Sequence, residues 1–134
     1  MSGELYQARI VALAKSKTGA GKLASPTKSA RRDNPLCGDR VTIDVRVEDG
    51  KIAELAHQVR GCLLCQASAA ALASTAVGRD AAGIAELRHD AERAIGREAG
   101  KAHEPFDAFE PVANHKSRHE CVLLPFEALK DALS

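Results

Sequence analysis

N-P-L-C-G-D-R-V-T-I-D-V-R-V-E-D-G-K-I-A-E-L-A-H-Q-V-R-G-C, residues 34–62, alternates like a half-buried strand from Val41 onward. Val41, Ile43, Val45 and Val47 share one face; Thr42, Asp44 and Arg46 share the other. Asp49-Gly50 signals a hairpin, and Ile52 to Arg60 returns as its second strand. The preceding Asn34-Pro35-Leu36-Cys37-Gly38-Asp39 reads as a turn. Pro35 restricts the residue before it, and Gly38 can take positive φ between two polar ligand types.

The hairpin's register can be tested against polarity. A two-residue turn at Asp49-Gly50 sets the four Val/Ile positions opposite Ile52, Glu54, Ala56 and Gln58. A three-residue loop from Asp49 to Lys51 sets them opposite Ala53, Leu55, His57 and Val59, matching apolar with apolar at three of four positions. The second register is therefore preferred. Carried to the open end, it puts Cys62 opposite Gly38, between Cys37 and Asp39; the other puts Cys62 opposite Cys37. In both, the two cysteines meet at the separation of paired strand positions, about 4.5–5.5 Å.

Working outward, residues 4–16 read as an amphipathic helix with Leu5, Ala8 and Ala12 on one face beside Val11. Lys15 to Arg32 carries Lys15, Lys17, Lys22, Lys28, Arg31 and Arg32 without an acid between them. Gly19, Gly21 and Pro26 mark it as loop, followed by an irregular edge strand near Thr27–Arg31. Such a run is expected to be solvated surface, with docking to an acidic protein as the alternative. On the other side, Gly61 breaks the strand and Cys62 to Val77 reads as an Ala-rich helix ending at Gly78. Asp80 is a candidate N-cap for a helix carrying Ile84, Leu87, Ala91 and Ile95. Residues 96–118 are polar and irregular, broken by Pro105 and Pro111 and anchored by Phe106 and Phe109. The last helix carries Phe126, Leu129 and Leu133 at helical spacing beside Ala128 and Ala132. Pro125 belongs near a helix N-terminus, which keeps Cys121 within about one turn of the helix start.

The elements fit one domain, residues 1–134, whose core of Leu, Ile, Val and Ala contains few aromatics. A formal charge of +1 argues against nucleic acid as main partner. The longest apolar-biased stretch, Cys62 to Val77, is interrupted by Gln66, Ser68, Ser74 and Thr75 and falls short of the ~20 residues of a membrane span. The N-terminus has no signal-peptide h-region. A reducing, cytoplasmic setting is expected, in which four cysteines serve metal or sulfur chemistry rather than disulfides.

Cys37 and Cys62 at the hairpin's open end, and Cys121 at a helix start, are sensible ligand positions. The thiolate is the form that binds metal or attacks sulfur, and a helix N-terminus favours it. Asp39 adds a hard oxygen to soft sulfurs, a mix that zinc accepts. An iron–sulfur cluster prefers four thiolates, so a carboxylate ligand suits a carrier that must let its cluster go.

N-P-L-C-G-D at 34–39, G-C-L-L-C-Q-A-S-A at 61–69 and R-H-E-C-V-L-L-P-F-E-A-L at 118–129 resemble the scaffold proteins of iron–sulfur cluster assembly, the SufU/IscU/NifU N-terminal type. The resemblance runs from about Leu5 to Leu133. It implies an α+β fold, a small antiparallel sheet of about three strands covered on one face by helices. It implies that Cys37, Asp39, Cys62 and Cys121 hold zinc or a nascent iron–sulfur cluster, and that Cys121 accepts persulfide sulfur from a SufS-like cysteine desulfurase. It implies delivery to apo-proteins, by a scaffold rather than an enzyme, with a zinc-dependent sulfurtransferase as the enzymatic version. The interval from Cys62 to Cys121, and Arg118, look closer to SufU. Glu120 stands where IscU has a histidine, and the IscU chaperone-binding stretch has no counterpart, so no heat-shock chaperone is expected.

Cys65 stands where the family usually has serine. One helical turn from Cys62, it is either an auxiliary ligand or a buried apolar thiol. His115 and His119 are either ligands near Cys121 or solvated, capping histidines. Two other functions fit the same residues: a structural zinc module for protein interaction, and a thiol oxidoreductase using Cys62-x-x-Cys65.

Overall fold

The computed structural model describes residues 8–35 and 38–134. Leu5, Leu36 and Cys37 lie outside them. A three-stranded antiparallel sheet in the order β1-β2-β3 is made by β1 (Lys28–Asn34), β2 (Asp39–Glu48) and β3 (Lys51–Arg60). The α-helices are α1 (Ala8–Ser16), α2 (Leu63–Ala76), α3 (Ala81–Ala94) and α4 (His119–Leu133). Two 3-10 segments, Phe106–Asn114 and Lys116–Arg118, lead into α4. The expected α+β architecture is the one observed.

Alternation does what it promised in β2: Val41, Ile43 and Val45 are fully buried, while Thr42, Asp44 and Arg46 are half-buried on the other face. The register combines both hairpin alternatives. Val41 pairs with Val59, Ile43 with His57 and Val45 with Leu55, as preferred, but Val47 pairs with Ile52 across a two-residue Asp49-Gly50 turn. A bulge between Arg46 and Val47 absorbs the difference, with Ala53 as the extra residue on β3. The two-residue turn keeps the tip tight, and the bulge restores apolar pairing beyond it.

The inner sheet face is covered by α4 over β1 and β2 and by α2 over β3. The Ala-rich α2 is buried along most of its length, from Leu64 and Cys65 to Ala76, because small side chains let α1, α4 and the sheet approach it closely. Phe106, Phe109, Phe126 and Leu129 fill the space between α3, α4 and the 3-10 segment, so Phe106 and Phe109 anchor that segment as expected.

Two expectations need correction. The buried face of α1 consists of Ile10 and Ala14, with Ala8 and Ala12 exposed. These two residues, one turn apart, are the part of α1 that joins the core, and α1 packs on α2. The basic run is solvated loop and edge strand as expected, with Lys15, Lys17, Lys22, Lys28 and Arg31 exposed, while Gly19 and Gly21 bond with the backbone of His57 and Thr27 N–H donates to Val45 O. Arg32 then pairs with Glu127 and Asp131 of α4. Pro125 sits within α4, in its second turn, rather than at its start. It has no N–H to give to residue 121, and the burial of Val122, Leu123, Leu124 and Phe126 around it holds the helix regardless. Among the described residues, no helix is long and apolar enough to cross a membrane.

Candidate metal and sulfur site

Three elements deliver one side chain each to a single point. Asp39 opens β2, Cys62 caps α2 and Cys121 lies in the first turn of α4. One Asp39 carboxylate oxygen and the sulfurs of Cys62 and Cys121 all lie within 4.8 Å of one another. Asp39 and Cys121 are buried and Cys62 is half-buried, so the group opens to solvent on the Cys62 side.

The local chain explains this placement. After β3, Gly61 passes directly beside Asp39; a Cβ there would stand 2.4 Å from Asp39 Oδ1. The missing side chain lets Cys62 N–H donate to Oδ1 at 3.0 Å and the Cys62 thiol donate to Oδ2 at 3.5 Å. Cys62 Sγ in turn accepts from Cys65 N–H at 3.4 Å, making the thiol the N-cap of α2. Further along α2, Ser68 Oγ donates to Val122 O of α4 at 2.5 Å, tying the two helices together next to Cys121.

The Cys62 thiol is held down to about 7, first by its hydrogen bond with Cys121 and further by the Cys65 amide; burial and the Asp39 charge push the other way. A substantial thiolate fraction at neutral pH follows, which is the form that ligates metal and attacks sulfur. The starts of α2 and α4 supply positive helix ends beside the two sulfurs. The donor set of two soft thiolates and one hard carboxylate fits zinc or iron, and leaves a tetrahedral ion a further position.

Cys37 and Leu36 lie outside the described residues, so the expected meeting of Cys37 with Cys62 does too. The turn is closed on either side of them by the Asn34–Asp39 pair and by Gly38 N–H donating to Asn34 O at 2.8 Å. Cys65 is fully buried, and its thiol is not one of the Asp39–Cys62–Cys121 group. His119 is buried with both ring nitrogens engaged: Arg97 Nε donates to Nδ1 at 3.4 Å, and Nε2 lies 3.2 Å from Ala113 O. It is outside the group. Arg118 immediately precedes α4, with its amide bonded to His115 O at 2.8 Å. Sequence reasoning missed the roles of Gly61 and Ser68. Both stand in the G-C-L-L-C-Q-A-S-A run, but only their neighbours across space reveal them.

Residues 5–133 match the family of the NifU-like N terminal domain. The chain belongs to this family. It is 30% identical over 132 residues to a Thermotoga maritima protein named iron-sulfur cluster assembly scaffold protein IscU, covering 96% of this chain and 92% of that one. Its fold is similar to the N-terminal NifU-like protein of Brucella abortus, at TM-score 0.89 and 31% identity, covering 98% of this chain and 94% of that one. It is also similar to FiSufU of Fervidobacterium islandicum AW-1, described as a scaffold for the SUF system, at TM-score 0.90, 29% identity and full coverage of both chains.

Proposed function

We propose that this chain is an iron–sulfur cluster assembly scaffold. Sulfur arrives as a persulfide on Cys121, iron and sulfide assemble between Cys37, Asp39, Cys62 and Cys121, and the cluster leaves for apo-proteins. The observation that carries this reading is the convergence of one carboxylate and two thiols, within 4.8 Å, at the starts of two helices. The names of the relatives support it. The cluster is cargo, and the carboxylate is the ligand that lets it be released. Zinc fits the same donors and would be held by the same residues, stabilising the site between loads. The sulfur donor is a cysteine desulfurase, and the setting is the cytoplasm.

Anaerobic reconstitution with ferrous iron and sulfide tests the reading. Wild type is expected to take up iron and acid-labile sulfide and pass them to an apo-ferredoxin, and Cys62→Ser and Cys121→Ser to lose most of this. With a desulfurase and cysteine, Cys121 is expected to gain one sulfur by peptide mass. Metal that never exchanges, with thiols that never carry sulfane sulfur, would instead mark a structural zinc module.

A further inference from the structure

We propose that Cys62 and Cys65 form a dithiol that reduces incoming sulfane sulfur to sulfide inside the protein, closing to a disulfide as it does so. This rests on the sulfur-acceptor reading above and supplies something that reading lacks. Sulfur in a persulfide is formally zero-valent, whereas cluster sulfide carries two more electrons. A scaffold that accepts persulfide sulfur therefore needs a two-electron donor.

The pair has the geometry for it. Cys62 is the N-cap of α2 and Cys65 the third residue of the helix, so they lie on adjacent levels of one turn. The Cα–Cβ bond of a helical residue tilts toward the helix N-terminus, which directs Cys65 toward its cap. Cys62 Sγ already lies 3.4 Å from the amide nitrogen of Cys65, two covalent bonds from the Cys65 Cβ. Rotating a side chain is what a sulfur–sulfur bond of about 2.05 Å asks here. Burial divides the roles. Cys65, like Cys121, is fully buried and meets only sulfur already inside the site, whereas half-buried Cys62 leaves the closed disulfide open to an external dithiol.

The steps balance. Cys62 attacks the outer sulfur of the Cys121 persulfide, within the 4.8 Å group, and becomes Cys62–S–SH while Cys121 returns to its thiol. Cys65 sulfur then attacks the inner sulfur of that persulfide. The Cys62–Cys65 bond forms, the bond to the outer sulfur breaks, and its electron pair leaves with that sulfur. The proton of Cys65 ends on the departing sulfide. Two thiol sulfurs are oxidised and one sulfane sulfur is reduced. An external dithiol must then reopen the disulfide for the next round. Cys121, outside the disulfide, is ready to accept sulfur again.

The test uses metal-free full-length protein under anaerobic conditions, with inorganic polysulfide as the sulfane donor, excess removed, and no reductant. Wild type is expected to release one sulfide for each sulfane sulfur taken up and to show a Cys62–Cys65 disulfide by peptide mapping. Cys65→Ser is expected to keep its persulfide, seen as the added mass of one sulfur, and to release sulfide only when a dithiol is added. Cys65→Ala, with melting curves for both variants, separates this from a folding defect, and the wild-type disulfide map is independent of any variant. Release from Cys65→Ser at the wild-type rate, a wild-type persulfide that persists, or a disulfide between Cys62 and Cys121 instead would each overturn the inference. If neither wild type nor variants take up sulfane sulfur, the acceptor reading itself falls, and this inference with it.

Discussion

Gly61 and Asp39 share a space that holds only one side chain: a Cβ on residue 61 would come within 2.4 Å of Asp39 Oδ1 and 2.7 Å of its Cγ. Gly61→Ala must therefore displace a buried carboxylate and break its bond to the Cys62 amide. The expected cost is about 1–3 kcal/mol, the usual scale of overpacking, read by urea denaturation. Zinc affinity should fall with it. Gly78→Ala is the control: at φ +91 with open space around its Cβ position, it should cost stability and leave metal affinity intact. Unchanged metal affinity in Gly61→Ala would show that Asp39's position does not matter to the site.

Cys62 should react with iodoacetamide in metal-free protein at half its maximal rate near pH 7, rather than near the ordinary ~8.5. The sign follows from the thiolate being the reactive form, so reactivity falls as pH drops through about 7 and levels off above it. Cys121→Ala removes the largest stabilising contact and should move the midpoint upward. Peptide mapping isolates Cys62 from the other thiols. A wild-type midpoint near 8.5 is the contrary result.

Ser68→Ala should cost about 1–3 kcal/mol, because it deletes a fully buried hydroxyl and its bond to Val122 O. The site should feel it as well. The bond lies one residue from Cys121, so cobalt substituted for zinc is expected to show a changed ligand-field spectrum. A stability loss with an unchanged cobalt spectrum would limit Ser68 to holding the helices.

Asp39→Ala should slow cluster transfer to apo-ferredoxin several-fold at equal loading, since it removes the one hard ligand from a soft set. The structure narrows what replaces it. His119 is committed to Arg97 and Ala113, which leaves a thiol, His115 or solvent to take the position. Faster transfer from the variant would end the idea that aspartate is there for release.

The site was legible in the sequence to different depths. Strand alternation and the Asp49-Gly50 turn located Asp39 and Cys62 at one end of a hairpin, because period-two patterns carry their facing directly. The bulge at Ala53 was not legible. Both registers were locally reasonable, and only the whole sheet could use each in turn. In α1 the buried face was misjudged, since a short helix with apolar residues at 8, 10, 11, 12, 13 and 14 offers several stripes, and the core takes Ile10 and Ala14. Cys62 was legible at the start of α2, but its capping bond with the Cys65 amide was not, because cysteine is not among the common N-caps. Pro125 misled because a proline rule drawn from local geometry gives way when packing on all sides supports the helix.

The bulge between Arg46 and Val47 separates the hairpin into a tip and a stem that keep different register. A residue added or removed at the tip can be taken up there, while Val41–Val59 and the pairs beyond it keep Asp39 facing the Cys62 amide. The ten residues of β2 put the tip about 30 Å from the site. That makes Asp49-Gly50 a natural place to graft a peptide tag or a fluorescent label, from which assembly can be watched while the sulfur chemistry at the other end goes on undisturbed.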